Sequence, residues 1–249
     1  MEIKGKRIIV TGGASGIGKE LSLKLLHEDA IVGVFDIDKD ALNKIHIDNG
    51  DIYCASCDVS NYQQVEKSID AFCKIHGGID ILVNNASIIH NSLLISLDKG
   101  QITKYDVNRW NIVISTNLSS VFYMTSHVVK KMVEQRIRGL IINVSSICSS
   151  GNLGQSAYSA AKAGTNALTV TWAKELGLFG IRVAGIAPGF TQTNTTMQSM
   201  KENVLNEWKK KTPIRRLASI NEIVDGILFI MKNDFYNGRI LELDGGLRL

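Results

Sequence analysis

Short apolar runs alternate along the chain with longer segments in which apolar residues recur at helical spacing. The apolar runs predict β-strands at Arg7–Val10, Ile31–Phe35, Asp51–Cys54, Ile79–Val83, Leu140–Val144, Ile181–Ile186 and Arg239–Leu243. The amphipathic segments predict helices at Ile17–Glu28, Ala41–Ile45, Val65–Ile75, Asp106–Gln135, Ser156–Leu178 and Ile220–Met231. Apolar strands that alternate with helices are typical of a parallel sheet whose two faces are covered by helices.

This order of elements predicts a single α/β domain over residues 1–249. Because crossover connections are right-handed, we expect a doubly wound, Rossmann-type three-layer fold with about seven mostly parallel strands. The chain has 249 residues, of which 45% are hydrophobic and 21% charged, so its composition excludes a disordered protein. It has only 2 prolines, which leaves little material for a linker between domains.

The net charge and the targeting signals say little about the binding partners and the cellular location of the protein. The net charge is +4, and the densest basic stretch, Lys209–Arg216, is either a solvated surface or a contact for a phosphorylated group. No basic patch predicts nucleic-acid binding. No apolar run approaches the roughly 18 residues that cross a bilayer, and no secretory signal is recognisable. We therefore expect a cytoplasmic protein without membrane contact.

The cysteines and histidines do not indicate a metal or redox centre. Cys54 and Cys57 form a C-x-x-C, but they lie on a predicted strand, where residues three apart point to opposite faces. Reduced structural thiols are therefore expected, as is usual in the cytosol. The 5 histidines lack metal-ligand spacing, so no catalytic metal is expected.

A glycine-rich turn, Thr11–Gly18, follows the first predicted strand with the pattern T-G-x-x-x-G-x-G. Glycines allow a tight turn, close approach to a pyrophosphate and close packing of helix on strand. The N–H groups at the N-terminus of the next helix would bind phosphate. A purely structural turn is the alternative. The residues expected to contact a nucleotide are Gly12, Ser15, Gly16, Ile17 and Gly18.

Asp36 ends the second predicted strand, close to the distance from the turn at which an acidic residue bonds the ribose hydroxyls. A carboxylate there repels a 2′-phosphate, and neither Ser15 nor Ile37 supplies a positive charge to hold one. The cofactor is therefore expected to be NAD rather than NADP. The alternative is that Asp36 only starts a turn with Asp38.

Tyr158 and Lys162 lie four residues apart on a predicted helix and therefore share a face. A lysine beside a tyrosine favours the phenolate and should lower the tyrosine pKa. A tyrosine tuned in this way can exchange a proton with an alcohol or carbonyl oxygen. The helix follows a strand that runs into Ser145 and Ser146, and the carboxyl ends of parallel strands converge on a ligand crevice.

In these features the sequence strongly resembles the short-chain dehydrogenase/reductase family, over essentially the whole chain. The matching segments are Gly12–Gly18, Cys57–Val59, Asn84–Ala86, Asn117, Ser145–Ser146, Tyr158, Lys162, Pro188–Gly189 and Leu243–Gly246.

The resemblance implies a role for each matched residue. Tyr158 would be the general acid/base, and Lys162 would hold the nicotinamide ribose and lower the tyrosine pKa. A serine hydroxyl would bond the substrate oxygen, and Asn117 would support a water that relays protons to Lys162. Further cofactor contacts would come from Asp58 and Val59 at the adenine, from Asn84 and Ala86 along the groove, and from Pro188, Gly189, Thr191 and Thr193.

Two departures from the family pattern concern the site. The family usually has Asn-Asn-Ala-Gly after the fourth strand, and this chain has Ser87 in place of that glycine, so a local backbone adjustment is expected. The active-site serine is open between two residues. The second serine of such a pair is the usual one, which favours Ser146. Ser145, however, lies at the separation from Tyr158 that is expected in the family.

Two segments bear on the substrate. Ser87–Asp106 is long for a connection between a strand and a helix. This segment and the C-terminal segment from Asn237 resemble the corresponding segments of the type 2 hydroxyacyl-CoA and hydroxysteroid dehydrogenases. His90 lies in this loop, where a surface position is the simpler interpretation. Residues 190–215 could form a lid, with Met197, Met200, Leu205 and Trp208 facing substrate or packing as ordinary helix residues.

The expected function is hydride transfer between NAD and a secondary alcohol or ketone, on an apolar small-molecule substrate such as a 3-hydroxyacyl thioester. Two alternatives remain open, an NADPH-dependent 3-oxoacyl-acyl-carrier-protein reductase and a dinucleotide-binding module without turnover. The resemblance also implies a homotetramer, with which the apolar segments Val121–Val133 and Ile223–Ile230 are compatible.

Overall fold

A parallel sheet of seven strands forms the centre of the computed structural model, which describes residues 1–45, 52–98, 100–193 and 202–249. The strands in chain order are β1 (Arg7–Thr11), β2 (Ile31–Asp36), β3 (Ile52–Ser56), β4 (Ile81–Asn84), β5 (Ile95–Asp98), β6 (Gln101–Lys104), β7 (Leu140–Val144), β8 (Arg182–Pro188) and β9 (Ile240–Leu243). The central sheet has the order β3-β2-β1-β4-β7-β8-β9, while β5 and β6 form a separate hairpin. The predicted α/β fold is confirmed.

Helices cover both faces of this sheet. They are α1 (Gly16–His27), α2 (Lys39–Asn43), α3 (Tyr62–His76), α4 (Val107–Ile114), α5 (Ser120–Glu134), α6 (Ser156–Leu176), α7 (Glu202–Lys211) and α8 (Ile220–Lys232). The helix predicted over Asp106–Gln135 is interrupted by a π-helical turn at Ser115–Ser119, which separates α4 from α5. The predicted start of the third strand, Asp51, lies outside the described residues.

The core has two layers because successive strand residues point to opposite faces. On one face, Ile8 and Val10 of β1 pack in a cluster with residues of α1 and α8. On the other face, Ile9 packs in a cluster with residues of α3 and α5. All three β1 side chains are fully buried, and burying an aliphatic side chain contributes about 1.5–3 kcal/mol. The sheet is thereby held rigidly between its helices.

The long connection after β4 is not an irregular loop throughout. Ile95–Asp98 and Gln101–Lys104 pair as an antiparallel hairpin, with Leu97 opposite Ile102. Ser92 forms an isolated bridge with Gln155 just before α6. Lys99, part of the Lys-Gly-Gln run, lies outside the described residues. The connection therefore carries structure that its sequence did not predict.

One helical stretch among the described residues, Val107–Glu134, is long and apolar enough to cross a membrane by length and composition alone. It packs against α3 and α6, and Val121, Met124 and Val128 lie inside the core. These contacts are those of a core helix that packs on one face of the sheet.

Candidate active site

A cleft of about 980 Å³ runs along the carboxyl edge of the sheet. The strand order reverses there, because β1 lies between β2, its successor in the chain, and β4. The connections from these strands diverge to opposite sides, and ligands bind in such crevices of open α/β sheets. The walls of the cleft come from the segments that follow β1, β2, β3, β4, β7 and β8.

The glycine-rich turn forms one end of the cleft. Gly12 has a φ of +61°, and a Cβ atom there would lie 2.8 Å from the Cα atom of Ala86. A Cβ atom on Gly18 would overlap the carbonyl oxygen of Gly12. Gly12, Ser15, Gly16 and Ile17 line the cleft, and Gly18 packs behind them. Side chains in place of these glycines would fill the space at the turn. Because the glycines leave it open, this cradle fits the pyrophosphate of a dinucleotide at the N-terminus of α1.

Asp36 lies in the cleft wall at the end of β2. Its carboxylate accepts hydrogen bonds of 3.0 Å each from the backbone N–H groups of Ala14 and Asp38. Asp36 therefore starts the turn to Asp38 and also lines the cleft, so the two interpretations of this residue are compatible. Asp58 and Val59 line the same end of the cleft. Among the described residues that line the cleft, Lys162 is the only lysine or arginine, and it belongs to the α6 pair.

Asn84 does not line the cleft, contrary to expectation. Its side-chain amide donates to Thr125 at 3.0 Å and to Asn143 at 2.9 Å, inside the protein. The next residue, Asn85, lines the cleft together with Ala86 and donates to the carbonyl oxygens of Thr11 and Gly12. Adjacent strand residues point to opposite faces, so Asn84 points into the protein while Asn85, one position later, lines the cleft.

Tyr158 and Lys162 share a face of α6 and are both buried. The Lys162 ammonium donates to the carbonyl oxygen of Val144 at 2.7 Å and lies 5.6 Å from the centroid of the Tyr158 ring. Burial raises the pKa of Tyr158 to about 12 and lowers that of Lys162 to about 8. Desolvation of the phenol dominates, so the net lowering of the tyrosine pKa that was expected beside Lys162 does not occur.

The two serines after β7 have different surroundings. The Ser146 hydroxyl accepts from the backbone N–H of Cys148 at 3.1 Å, and its proximity acts to lower the pKa of Tyr158. The Ser145 hydroxyl donates instead to the carbonyl oxygen of Lys162 at 3.4 Å. Both serines line the cleft with Tyr158, so the choice of Ser146 as the active-site serine stays a prediction.

Asn117 is fully buried in the π-helical turn and does not line the cleft. Its side-chain nitrogen donates to the carbonyl oxygen of Ile88 at 2.7 Å, and its side-chain oxygen accepts from the Ile88 N–H at 2.9 Å. The amide thus holds the segment after β4 in place. π-Helical turns often occur at functional sites, where they change the direction of a helix locally.

The residues expected near the nicotinamide come together at the end of β8. Pro188, Gly189, Thr191 and Thr193 all line the cleft. The Thr191 hydroxyl donates to the carbonyl oxygen of Gly189 at 3.1 Å, which closes the turn after the strand. Asp244 packs behind this turn, since a Cβ atom on Gly189 would lie 2.8 Å from its Cα atom.

The proposed lid is described only in part. Met197 and Met200 lie outside the described residues. Trp208 of α7 stacks on Phe190 of the cleft wall, with ring centroids 4.3 Å apart, and Leu205 is buried. The basic stretch that follows does not line the cleft, and Lys211 and Arg216 pair with Glu207 and Glu222.

Several cleft residues were not predicted from the sequence. Gln155 is buried in the wall, donates to the Asn91 side chain at 2.9 Å and accepts from Asn152 at 3.1 Å. Ser87 and Cys148 also line the cleft. Gln155 precedes Tyr158 by three positions, so helical spacing could have identified it. His90 does not line the cleft, and its ring packs edge-on against Tyr105.

No group of three or more His, Cys, Asp or Glu side chains is placed to hold a metal ion in the part of the chain that the structure describes. Cys54, Cys57, Cys73 and Cys148 are free thiols.

A glycine cradle at a sheet switch point, beside a buried tyrosine and lysine, defines a dinucleotide-binding oxidoreductase of the Rossmann type. The family model described as short chain dehydrogenase matches residues 6–204. The chain therefore belongs to the short-chain dehydrogenase family, an oxidoreductase family that binds a nicotinamide dinucleotide and acts on CH–OH groups.

Relatives and solved structures agree with this assignment. The chain is 35% identical to the 3-oxoacyl-acyl-carrier-protein reductase of Thermotoga maritima, with 99% of each chain covered. It is 34% identical to sorbitol-6-phosphate 2-dehydrogenase of Klebsiella pneumoniae, covering 99% of this chain and 97% of the relative. The crystal structure of a short chain dehydrogenase from Bacillus anthracis matches with a TM-score of 0.85 and 30% identity, covering 98% and 97% of the two chains.

Proposed function

We propose that the protein is an NAD(H)-dependent oxidoreductase that interconverts a secondary alcohol and its ketone. The observation that carries this proposal is the position of Tyr158, which is buried in the cleft wall with the Lys162 ammonium 5.6 Å from its ring centroid and with Ser146 lining the same cleft. Tyr158 would donate a proton to the carbonyl oxygen in reduction and remove the hydroxyl proton in oxidation. Ser146 would bond the same oxygen and orient it. Bound NAD(H) would supply or accept the hydride.

Lys162 supports this chemistry from behind the tyrosine. Its ammonium is fixed by the Val144 carbonyl oxygen and is fully buried, so it can hold a ribose hydroxyl at a defined position. Below its lowered pKa of about 8 it is predominantly charged. A fixed positive charge near the phenol favours the phenolate, which is the form that takes up the substrate proton in oxidation.

The preference for NAD rests on the acidic end of the cleft. Asp36 presents a carboxylate where the adenine ribose would lie, and the turn geometry holds it there. A 2′-phosphate would meet this charge, and the only lysine or arginine among the described lining residues is Lys162, which belongs to the α6 pair beside Tyr158. Repulsion between two close negative charges in a partly desolvated site disfavours NADP.

For the substrate we favour an apolar compound, with 3-hydroxyacyl and 3-oxoacyl thioesters as the class. Ile88, Ile89, Ile112 and Ile147 line the cleft near its catalytic end. The relatives named 3-oxoacyl-acyl-carrier-protein reductase cover almost the whole chain. Their name also favours the second candidate, an NADPH-dependent 3-oxoacyl-acyl-carrier-protein reductase, which differs from the first in cofactor.

A parallel screen would distinguish the two. Nicotinamide absorbance is followed with 3-oxoacyl thioesters of CoA and of acyl carrier protein, ketosteroids, sugars and small ketones, each with NADH and NADPH. We expect turnover with NADH and a several-fold lower kcat/KM with NADPH. Asp36→Ala should weaken that preference, and Ser60→Ala, at the same end of the cleft, should keep it. A wild-type preference for NADPH would overturn the first candidate, and no turnover with any pair would favour a binding module.

We further propose a cytoplasmic homotetramer. Phe122 of α5, Val170 of α6 and Phe229 of α8 are exposed apolar residues on the helices that would meet a second copy. Most apolar residues of Val121–Val133 and Ile223–Ile230 are buried within this chain and do not bear on assembly. Light scattering should give the mass of four chains.

A further inference from the structure

We propose that Gln155 is a positioning residue whose side chain fastens the connection after β4 to the start of α6 and so fixes the substrate wall of the cleft. The proposal rests on the proposed function, because that function assigns this wall to the substrate. Gln155 is 7% exposed and lies one helical turn before Tyr158. Hydrogen bonds from its side chain to two neighbouring segments carry the proposal.

Gln155 occupies the position immediately before α6, where a side chain usually caps the helix. Serine, threonine, aspartate and asparagine are preferred there, because their short side chains reach the first free N–H groups. The Gln155 side chain makes no such hydrogen bond. Instead, its Nε2 donates to the side-chain oxygen of Asn91 at 2.9 Å, and its Oε1 accepts from Asn152 Nδ2 at 3.1 Å. The side chain thus joins other segments of the protein and does not cap its own helix.

The two hydrogen bonds reach segments from two different strand ends. Asn91 belongs to the connection after β4. Asn152 belongs to the connection after β7, where its Nδ2 also donates to the Cys148 sulfur at 3.8 Å. Asn91, Cys148 and Gln155 all line the cleft. Because the Gln155 amide lies between the two connections and bonds to both, it sets their separation.

The segment that Gln155 holds is attached at both ends. At one end, the buried amide of the π-helical turn holds the Ile88 backbone. At the other, the Ser92 N–H donates to the carbonyl oxygen of Gly154 at 2.8 Å, beside the isolated bridge. The hydrogen bond between Asn91 and Gln155 adds a side-chain attachment next to this backbone one. A wall held in this way is already ordered before substrate binds, which lowers the cost of binding.

The test removes the hydrogen bond between Asn91 and Gln155 from either side. In Gln155→Leu and in Asn91→Leu, KM for the best ketone of the screen should rise about fivefold to tenfold, the size expected for one lost hydrogen bond. The kcat and the Kd of NADH should stay near wild type, because the catalytic groups and the cofactor end are unchanged. Asn91→Asp keeps the acceptor oxygen and should retain the wild-type KM. Gln101→Leu, the same substitution at an exposed position of the β5–β6 hairpin, is the control.

The double variant Asn91→Leu/Gln155→Leu should raise KM no further than Gln155→Leu alone, because both changes remove the same hydrogen bond. Independent effects that add would overturn the proposal. So would an Asn91→Asp enzyme that behaves like Asn91→Leu, because the acceptor oxygen would then not be what matters. Asn91 is exposed, so its variants test the hydrogen bond even where Gln155→Leu fails to fold.

Hydrogen exchange of the backbone amides in residues 88–94 needs no turnover. We expect faster exchange there in Gln155→Leu and Asn91→Leu, and wild-type exchange in Gln101→Leu. Faster exchange in a protein that reduces no ketone would support the role of Gln155 in holding the segment, while the proposed function would fail. Unchanged exchange and unchanged KM in active variants would refute the positioning role and leave the proposed function intact.

Discussion

At the scale of single residues, spacing predicted which side chains meet but not what surrounds them. Tyr158 and Lys162 share a helix face as their four-residue separation requires. The pKa of Tyr158 could not be predicted, because burial is a property of the whole fold and here exceeds the influence of the lysine. The same limit applies to Asn117, whose side-chain amide hydrogen-bonds with the backbone N–H and carbonyl oxygen of Ile88.

The raised pKa of Tyr158 predicts opposite pH behaviour in the two directions of the reaction. With a pKa of about 12, the phenol stays protonated through neutral pH. Ketone reduction needs this proton, so its kcat should be flat around neutrality. Alcohol oxidation needs the phenolate, whose population rises with pH, so its kcat should increase through the alkaline range. Saturating kinetics in both directions check this, and an oxidation rate independent of pH would contradict it.

At the scale of elements, the apolar pattern predicted the strands of the sheet and the helices between them. It failed where the pattern is ambiguous. The β5–β6 hairpin was not predicted, because Ile95–Asp98 alternates apolar and polar residues over only four positions, and Leu97 and the opposite Ile102 are exposed rather than packed in the core. The exchange between Asn84 and Asn85 has a related cause, because a one-residue shift at the end of a strand reverses the direction of the side chain.

An ion pair at the opposite edge of the sheet joins the starts of β1 and β4 and should contribute to stability. Arg7 Nε donates to Asp80 at 2.7 Å, its Nη2 at 3.2 Å and its backbone N–H at 3.0 Å. Asp80→Asn should lower the free energy of unfolding by about 2 kcal/mol at neutral pH. Denaturant unfolding measures this, with Asp29→Asn in the exposed Lys4–Asp29 pair as the control, for which about 0–1 kcal/mol is expected.

The stabilisation by Asp80 should disappear in acid. Burial by itself would raise the pKa of Asp80, but the Arg7 hydrogen bonds outweigh it and hold the pKa below its usual value. A carboxyl group with a lowered pKa stabilises the folded state above its unfolded pKa and loses that contribution as pH falls through the folded one. Wild type and Asp80→Asn should therefore converge in acid, and a constant difference in stability would contradict the assignment.

At the scale of the whole molecule, topology explains why residues far apart in sequence form one site. The parallel order β3-β2-β1-β4-β7-β8-β9 brings six strand ends to one edge, and α6 places Tyr158 across from the glycine turn. The order of elements and the cofactor end of the cleft could be predicted from the sequence. Contact surfaces between copies of the chain could not be predicted, because the sequence does not distinguish apolar helix residues that pack in the core from those that would form an interface.

The most direct test of the account is the activity of Tyr158→Phe with NADH and the best ketone from the screen. Phenylalanine keeps the ring packing and removes only the hydroxyl. We predict a loss in kcat of about 10²–10⁴-fold, as expected for a general acid. NADH binding, measured by fluorescence, should change little. A loss of less than about tenfold with NADH binding intact would contradict the proposed role of Tyr158 and with it the proposed mechanism.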